Sequence, residues 1–412
     1  MIGMSPAGDI EIGTVRKDEF EEALELQAKV FGIPADYFRT LALKDLLFDY
    51  ENVFVARLDG RIVSHVQMFP KIIRMAGAGV WMAGIGGVAT DPAQRGKGLA
   101  SDLLKMSICS MVRRGMETSI LFTGIHDFYR KLGWETVSGI NSYKISTEKD
   151  LGQAPGYDGR EFTQDDLRSV SAIYETQNSQ RDFSAVRTEE VWKLQLKFPQ
   201  APSPREDPEG FTVVEKEGRV VAYTRLGTSP GVGCTITEGG CLPGHEAGLQ
   251  TCLARSVQRA RNSGHKELSA FVPEDHPMAT VLSKAGAGRT QEEGSGMMLK
   301  VVKPSELLIR LEAPLSARLA SSLLGRTKAE VQVGDETMSL EMNRGYAAVG
   351  QERGLSEFYR VDERGFAKIV SGYSLPSELV RSGSAKSSDA ALRAMDILFP
   401  KHFPHIYSAD EF

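Results

Sequence analysis

A chain of 412 residues is too long for one ordinary domain, and its 41% hydrophobic and 25% charged content is that of a folded protein of two or three domains. Its 54 acidic against 49 basic side chains leave a formal charge of -5 with no polybasic arm, which excludes a general nucleic-acid footprint and weakly favours cationic substrates. The opening Met1-Ile-Gly-Met-Ser-Pro-Ala-Gly-Asp9 lacks a basic start before an apolar core, no apolar run approaches a membrane span, and Cys109, Cys234, Cys241 and Cys252 form no C-x-x-C pair, so a cytoplasmic protein with reduced thiols is expected.

The first region reads as a strand, helices, then a strand pair. Asp36, Tyr37 and Phe38 fall early enough to line an acceptor side, although helix packing explains the two aromatics equally well. Asn52 to Leu58 and Arg61 to Phe69 flank Asp59-Gly60, a hairpin signal. After a strand from Trp81 to Thr90, the run Val88-Ala-Thr-Asp-Pro-Ala-Gln-Arg95-Gly96-Lys97-Gly98-Leu99-Ala100 passes from strand end through a tight turn into a helix whose buried side includes Leu99, Leu103 and Met106. Gly96 and Gly98 let several N-H groups converge on one anion, and the helix adds its positive end. Leu99 follows Gly98 where a P-loop needs Ser or Thr, and Ser101 stands where a dinucleotide fingerprint needs its third glycine. A strand from Ser119 to Thr123 then leads to a helix carrying Phe128-Tyr129-Arg130-Lys131-Leu132-Gly133-Trp134.

Past a linker-like stretch from Glu148 to Gly159, the same outline recurs. Phe211 to Thr224 repeats strand, Gly218-Arg219 turn and strand. Cys241-Leu-Pro-Gly244-His-Glu-Ala-Gly248 stands where the anion loop belongs, before a helix from Leu249 to Arg261, and Leu282-Ser-Lys-Ala-Gly286 stands where Tyr129 to Gly133 belongs. The copy lacks the arginine and the tyrosine, so the fold is repeated without its chemistry. Phe198 to Pro208 reads as a proline-rich surface loop. A third unit starts near Lys303-Pro304, with an element from Leu307 to Leu311, a helix from Leu315 to Leu324, a hairpin turning at Gly334-Asp335 and a last helix from Asp389 to Leu398. His245 and His265 are isolated, and Pro404 separates His402 from His405, so no metal site is expected.

The Arg95-x-x-Gly98-x-Ala100 loop behind Asp91-Pro92, followed by the aromatic-tyrosine motif at Phe128-Tyr129, resembles the GCN5-related N-acetyltransferases. Two such halves, a strand-rich third unit and the ending Leu398-Phe399-Pro400 to Tyr407-Ser-Ala-Asp410-Glu411-Phe412 resemble the Eis (enhanced intracellular survival) acetyltransferases across essentially the whole chain. The resemblance implies an α/β chain of mixed sheets: a catalytic acetyltransferase domain at 1-150, a degenerate copy at 151-301 and a sterol-carrier-like domain at 302-412. It implies acetyl transfer from acetyl-CoA to a primary amine, of an aminoglycoside-like polycation or a lysine side chain, by a homohexamer. Val88, Ala89 and Thr90 are then the strand end facing the pantetheine arm, and Gly96, Lys97, Gly98, Leu99, Ala100 and Ser101 the pyrophosphate cradle, with Arg95 as charge partner. Gly124 and Ile125 belong to the strand that splays away to admit the thioester. Tyr129 is the expected acid towards the departing sulfur, the terminal carboxylate of Phe412 the base or electrostatic anchor, and Glu411 a second acid for the amine. Glycines here replace the arginine run of better-known members, leaving fewer cations on the phosphates. Transfer of a longer acyl chain, as in the N-myristoyltransferases with their own terminal carboxylate, and a lipid or sterol carrier with a vestigial acyl-CoA site are the competing readings.

Overall fold

The computed structural model describes residues 9-43, 45-197, 205-229, 233-292 and 296-412; the proline-rich stretch from Phe198 falls largely outside them. The chain begins with β1 (Ile10–Thr14), α1 (Phe20–Phe31), α2 (Ala35–Leu43), β2 (Val53–Leu58), β3 (Arg61–Met75), β4 (Ala78–Thr90), α3 (Leu99–Arg113), β5 (Thr118–Thr123), α4 (His126–Arg130) and β6 (Glu135–Thr136). Asp59 and Gly60 both take positive φ, 52° and 79°, as the two-residue turn between β2 and β3 requires. There follow β7 (Ile140–Ser146), β8 (Asp158–Glu161), α5 (Leu167–Asn178), α6 (Glu189–Lys197), β9 (Arg205–Lys216), β10 (Arg219–Ser229), β11 (Gly233–Cys241), α7 (Glu246–Asn262), β12 (Glu267–Phe271), α8 (Pro277–Lys284), β13 (Gly288–Glu292) and β14 (Gly296–Val301).

The two large sheets share one plan. The first runs β1-β2-β3-β4-β5-β14-β6 and the second β8-β9-β10-β11-β12-β7-β13, so each sheet takes its sixth strand from the other stretch of chain. β7 pairs antiparallel with β12, Glu267 opposite Ser146, while β14 pairs with β5, Gly296 opposite Thr123. A division at residue 150 therefore follows the chain but not the sheets. The reason is hydrogen bonding: each open edge of β5 and β12 is satisfied by a strand remote in sequence, and no local signal in β7 or β14 says which edge it joins.

The third unit is α9 (Pro304–Leu319), β15 (Thr327–Val333), β16 (Glu336–Asn343), β17 (Tyr346–Gly350), β18 (Glu357–Val361), α10 (Glu363–Val370), α11 (Pro376–Arg381), β19 (Ala385–Ser387) and α12 (Asp389–Leu398), with sheet order β17-β16-β15-β18-β19. The expected break before Leu315 is absent. α9 runs through Pro314 because Leu307, Leu308, Leu311, Leu315 and Leu319 form one fully buried stripe, and each such side chain contributes roughly 1.5–3 kcal/mol, enough together to outweigh the ~3 kcal/mol of an interior proline. That stripe joins Ile73, Met75, Val80 and Met82 of the first sheet in a continuous core, which docks the third unit on the face of β3 and β4. All four cysteines lie in regular elements and none is in a disulfide, Cys109 alone being exposed.

Candidate active site

The anion loop is built as the glycines require. Gly96 and Gly98 adopt φ of 79° and 82°, and a side chain at either would meet nothing within 4 Å, so the loop's concave side is open. Gly98 is the residue before α3, whose first turn leaves its N-H groups without intrahelical acceptors. Asp91 fixes the approach, accepting from the Ala93 N-H at 2.9 Å and from Lys29 of α1 at 2.7 Å. Arg95 donates to the Thr90 carbonyl at 3.3 Å, and the Lys97 ammonium reaches Gln94 at 2.6 Å. Arg95, Gly96, Lys97, Gly98, Leu99, Ala100 and Ser101 are thus one contiguous loop and helix start beside the end of β4.

β4 and β5 run parallel and paired only from Met82, Ala83 and Gly84 to Thr118, Ser119 and Ile120. β4 nevertheless continues to Thr90 and β5 to Thr123, so Val88, Ala89 and Thr90 present a strand edge that β5 has left. Gly124 and Ile125 follow where β5 ends, and Ile125 is 64% exposed. The wedge opens towards the N-terminal end of α3, an arrangement with room for an extended arm along β4 and an anion at the loop.

One pair of residues in the wedge escaped the sequence reading. Gly87 and Val88 stand opposite Val66 alone, a bulge, and Gly87 has φ of 58°. The buried His65 ring holds it, with Nδ1 2.6 Å from the Gly87 carbonyl oxygen and Nε2 3.3 Å from the Gln27 side-chain nitrogen. Burial pulls His65 down to about 4, so the ring is neutral: Gln27 donates to Nε2, and Nδ1-H donates to Gly87. A Cβ on Gly87 would lie 2.5 Å from the Gln27 side-chain oxygen, which is why glycine stands there.

Tyr129 lies on the opposite face of the sheet from the third unit, buried with Phe128 and Trp134 in the core beneath α3. Its carbonyl accepts from Leu132 and Trp134, which turns the chain at Gly133 (φ 92°). Burial raises the phenol to about 12, so it stays protonated at neutral pH.

The carboxyl terminus comes to the wedge from the other side. The Phe412 ring packs on Phe69 and Phe122 at 5.8 and 5.6 Å, with the Lys71 ammonium 5.6 Å from its centre. A Cβ on Gly84 would be 2.7 Å from that ring, and one on Gly86 would be 3.1 Å from the terminal carboxyl carbon and oxygen. The carboxylate therefore sits directly over Gly86, two residues past the last β4-β5 pair. Glycines inside a strand signal such an approach, so Gly84 and Gly86 were readable from the sequence in principle.

What holds the terminus there was not readable. Arg187, fully buried between β-strand and tail, donates from Nε to Asp410 Oδ1 at 2.9 Å and from Nη2 to Oδ2 at 2.7 Å, and from Nη1 to Glu238 at 3.1 Å. Its guanidinium stacks over Tyr174 and Trp192 at 4.0 and 4.5 Å. Gln195 adds a bond to Asp410 at 2.9 Å, Lys71 reaches the Asp410 carbonyl at 2.6 Å, and Tyr223 donates to Glu238 at 2.7 Å. Burial alone would raise Asp410, but Arg187 outweighs it and holds the carboxyl below its usual value. Phe399, Ile406 and Tyr407 are buried, as anchors should be; Phe403 is not, at 41% exposed, because it faces a cavity.

That cavity, about 580 Å³, lies between the two large sheets and the tail, and both Phe122 and Glu411 line it. Glu411 is raised to about 7 by burial, against the pull of Lys71 and with the push of Asp410. Of the early candidates, Phe38 belongs to the α1-α2 core and Asp36 is exposed and paired with Arg39, so helix packing accounts for them.

The second copy shows the same frame with the site filled. Leu282 takes the backbone role of Tyr129, its carbonyl accepting from Ala287 beyond Gly286 (φ 76°). At the helix start the Glu246 carboxylate accepts from Gly244 N-H at 3.1 Å, so an acidic side chain already sits by the loop. β11 and β12 pair only to Ile236, and two residues on, where the first copy has Gly86 beneath the carboxylate, stands Glu238 gripping Arg187. At this position the second sheet supplies part of the tail's anchor. Among the described residues no cluster suits a metal, and no helix is long and apolar enough to cross a membrane.

Residues 11–137 match the family model described as an acetyltransferase (GNAT) domain. No curated protein matches the sequence. Among solved structures, the chain superposes on a conserved protein of unknown function from Enterococcus faecalis, described as a probable N-acyltransferase, at TM-score 0.78 and 16% identity over 98% of this chain and 100% of that one. A GCN5-related N-acetyltransferase from Anabaena variabilis gives 0.76 and 15% over 98% and 100%, and Eis1 from Mycobacterium abscessus 0.65 and 16% over 98% and 100%. At these identities the structural likeness establishes the fold, mixed α/β with repeated sheets. Residues 11–137 form a GNAT acetyltransferase domain, so this part of the chain is that of an acyl-transfer enzyme.

Proposed function

We propose that the protein moves the acetyl group of acetyl-CoA to a primary amine at the β4-β5 wedge, as an Eis-type enzyme whose second acetyltransferase-like half and third, sterol-carrier-like unit support the first. The carrying observation is the terminal carboxylate over Gly86, facing the wedge from the side opposite Tyr129. The cradle from Arg95 to Ser101 would hold the pyrophosphate, and Val88, Ala89, Thr90, Gly124 and Ile125 the arm and thioester. The amine nitrogen bonds the acetyl carbon, the C-S bond breaks, and sulfur leaves with the electron pair. The surplus proton on the amine passes to the Phe412 carboxylate, whose ordinary value of roughly 3.5 makes it an anchor for the ammonium as much as a base.

Tyr129 serves the sulfur. A phenol raised to about 12 is a reluctant donor to a thiolate whose thiol titrates at about 8.5, so its contribution is a hydrogen bond to the charge that develops on sulfur, with proton delivery late. His65 and Gln27 act through Gly87 as positioning residues, by keeping the bulge that aims the β4 backbone into the wedge. The acceptor is an amine, for which the charge balance and the family likeness suggest an aminoglycoside-like polycation or a lysine side chain. A homohexamer in the cytoplasm accords with the same likeness. The test is a variant with one glycine added after Phe412. CoA release from acetyl-CoA and amine should fall steeply while acetyl-CoA binding is kept; undiminished turnover would remove the terminal carboxylate from the mechanism.

A further inference from the structure

Resting on the acetyl-transfer reading, we infer that Lys71 is a positioning residue for the reaction: through its positive charge it seats the last residue of the chain, so that the Phe412 carboxylate stays over Gly86. Side chains alternate across a strand, so Phe69, Lys71, Ile73 and Met75 of β3 point to one face, the face that the tail and the third unit cover. The other three are apolar and buried, and Lys71 is the one charge in the row. A charge enclosed there is costly unless it is paired and hydrogen-bonded, and an apolar side chain would pack on the Phe412 ring without that cost. The lysine therefore marks a place where the tail needs a cation.

Its contacts show where. Phe69 stands opposite Gly84 and Lys71 opposite Met82, so the lysine lies next to the glycine that makes room for the Phe412 ring. The ammonium donates to the Asp410 carbonyl at 2.6 Å and lies 5.6 Å from the centre of the Phe412 ring. It thus holds the tail on either side of Glu411, whereas Arg187 grips the Asp410 side chain, short of the terminal carboxylate. Burial lowers the Lys71 ammonium, and Asp410 and Glu411 of the tail and Asp45 of the loop after α2 oppose the fall, with Arg187 acting against them. Asp45 accepts from the Leu47 N-H at 2.9 Å, and its other oxygen is buried without a hydrogen bond among the described residues. Glu411 is raised by burial and by Asp410, and Lys71 is the cation that pulls it down. Glu411 shares its cavity with the ion pairs Glu274-Arg289 and Glu378-Lys401, and with His402 and His405, which burial keeps below the usual histidine value.

The experiment compares Lys71→Met and Lys71→Arg with the wild-type full chain. Carboxypeptidase release of Phe412, followed by mass spectrometry, should accelerate in Lys71→Met by about tenfold to a hundredfold, the scale of one charge-assisted hydrogen bond, and return to within about threefold of wild type in Lys71→Arg. CoA release from acetyl-CoA, with hexylamine or a lysine-containing peptide as acceptor, should show kcat lower by about tenfold or more in Lys71→Met, the scale of a displaced reacting group, with KM for acetyl-CoA unmoved. Carboxyl-labelled glutamate followed by NMR, the Glu411 signal identified by its loss in Glu411→Gln, reads the charge directly. Its midpoint should rise above that of wild type in Lys71→Met and stay in place in Lys71→Arg. Equal Phe412 release in Lys71→Met and wild type overturns the inference, as does failure of Lys71→Arg to restore what Lys71→Met loses. A Glu411 midpoint that falls to the ordinary glutamate range also overturns it, because the whole tail has then left and Lys71 is only a part of the Arg187 anchor. Turnover unaffected by Lys71→Met overturns it with acetyl transfer intact. Wild-type protein that neither binds acetyl-CoA nor acetylates either amine overturns the acetyl-transfer reading instead, while Phe412 release and the Glu411 midpoint still decide whether Lys71 seats the tail.

Discussion

Asp410→Asn tests how the carboxyl terminus is held. The substitution keeps shape but removes the charge that receives Arg187 Nε and Nη2 at 2.9 and 2.7 Å and Gln195 at 2.9 Å. One amide hydrogen pair must also face donors. Arg187 keeps Glu238, so it is not left buried without a counter-charge, and the ~3–5 kcal/mol of a fully broken buried pair does not apply. The loss is that of hydrogen bonds to a charged group, about 2–3 kcal/mol for the set, which at 1.4 kcal/mol per decade weakens tail docking roughly 30–150-fold. Carboxypeptidase release of Phe412, followed by mass spectrometry, reads the open fraction when opening is fast relative to cleavage, and should accelerate by that factor. KM for acetyl-CoA should hold, because the cradle lies elsewhere, while kcat falls with the undocked fraction. Release within twofold of the wild-type rate would refute the assignment of the anchor.

Tyr129→Phe should leave folding and acetyl-CoA binding unchanged and lower kcat by about 10²-fold, the scale of one lost donor to developing charge, in steady-state CoA release; full activity removes the phenol from the chemistry. His65→Phe leaves the Gly87 carbonyl and Gln27 without their partner, so chemical denaturation should show a loss of about 1–3 kcal/mol, with a lower kcat at the displaced bulge. His65 also sets a sign for pH: at about 4 in the fold against about 6.5 unfolded, the unfolded chain binds a proton that the fold refuses. Stability therefore falls as pH drops from 6.5 towards 4, by about 1.4 kcal/mol per unit, and the variant should lack that one-proton slope in acid denaturation series. Glu411, raised to about 7 and facing Lys71 and Asp410, should give the wild type an ascending limb of kcat/KM centred near pH 7 that Glu411→Gln lacks.

Local chemistry was legible wherever a residue's own backbone requirement carried the message. Gly96 and Gly98 had to take positive φ and the helix after them had a visible apolar stripe, so the glycine turn and the start of α3 at Leu99 were legible from letters alone. The repeat was legible for the same reason, since Gly218 and Gly286 turn the second copy as Gly60 and Gly133 turn the first. The exchange of β7 and β14 was not, because an edge strand's partner is chosen by whichever open edge the tertiary fold brings near. The continuity of α9 through Pro314 was not legible for a related reason: a proline's local cost is fixed by sequence, while the five leucines that override it count only when the third unit docks. Nor could any spacing connect Arg187 and Glu238 with Asp410, which become neighbours only when the tail returns to the wedge. The sequence by itself determined the acetyltransferase frame of the first stretch and the repeat of its outline in the second, because these are written in glycines and periodicities. Only the tertiary structure decided where the last residue goes and which side chains hold the tail there, because a carboxylate's partners and its burial are properties of the space around it.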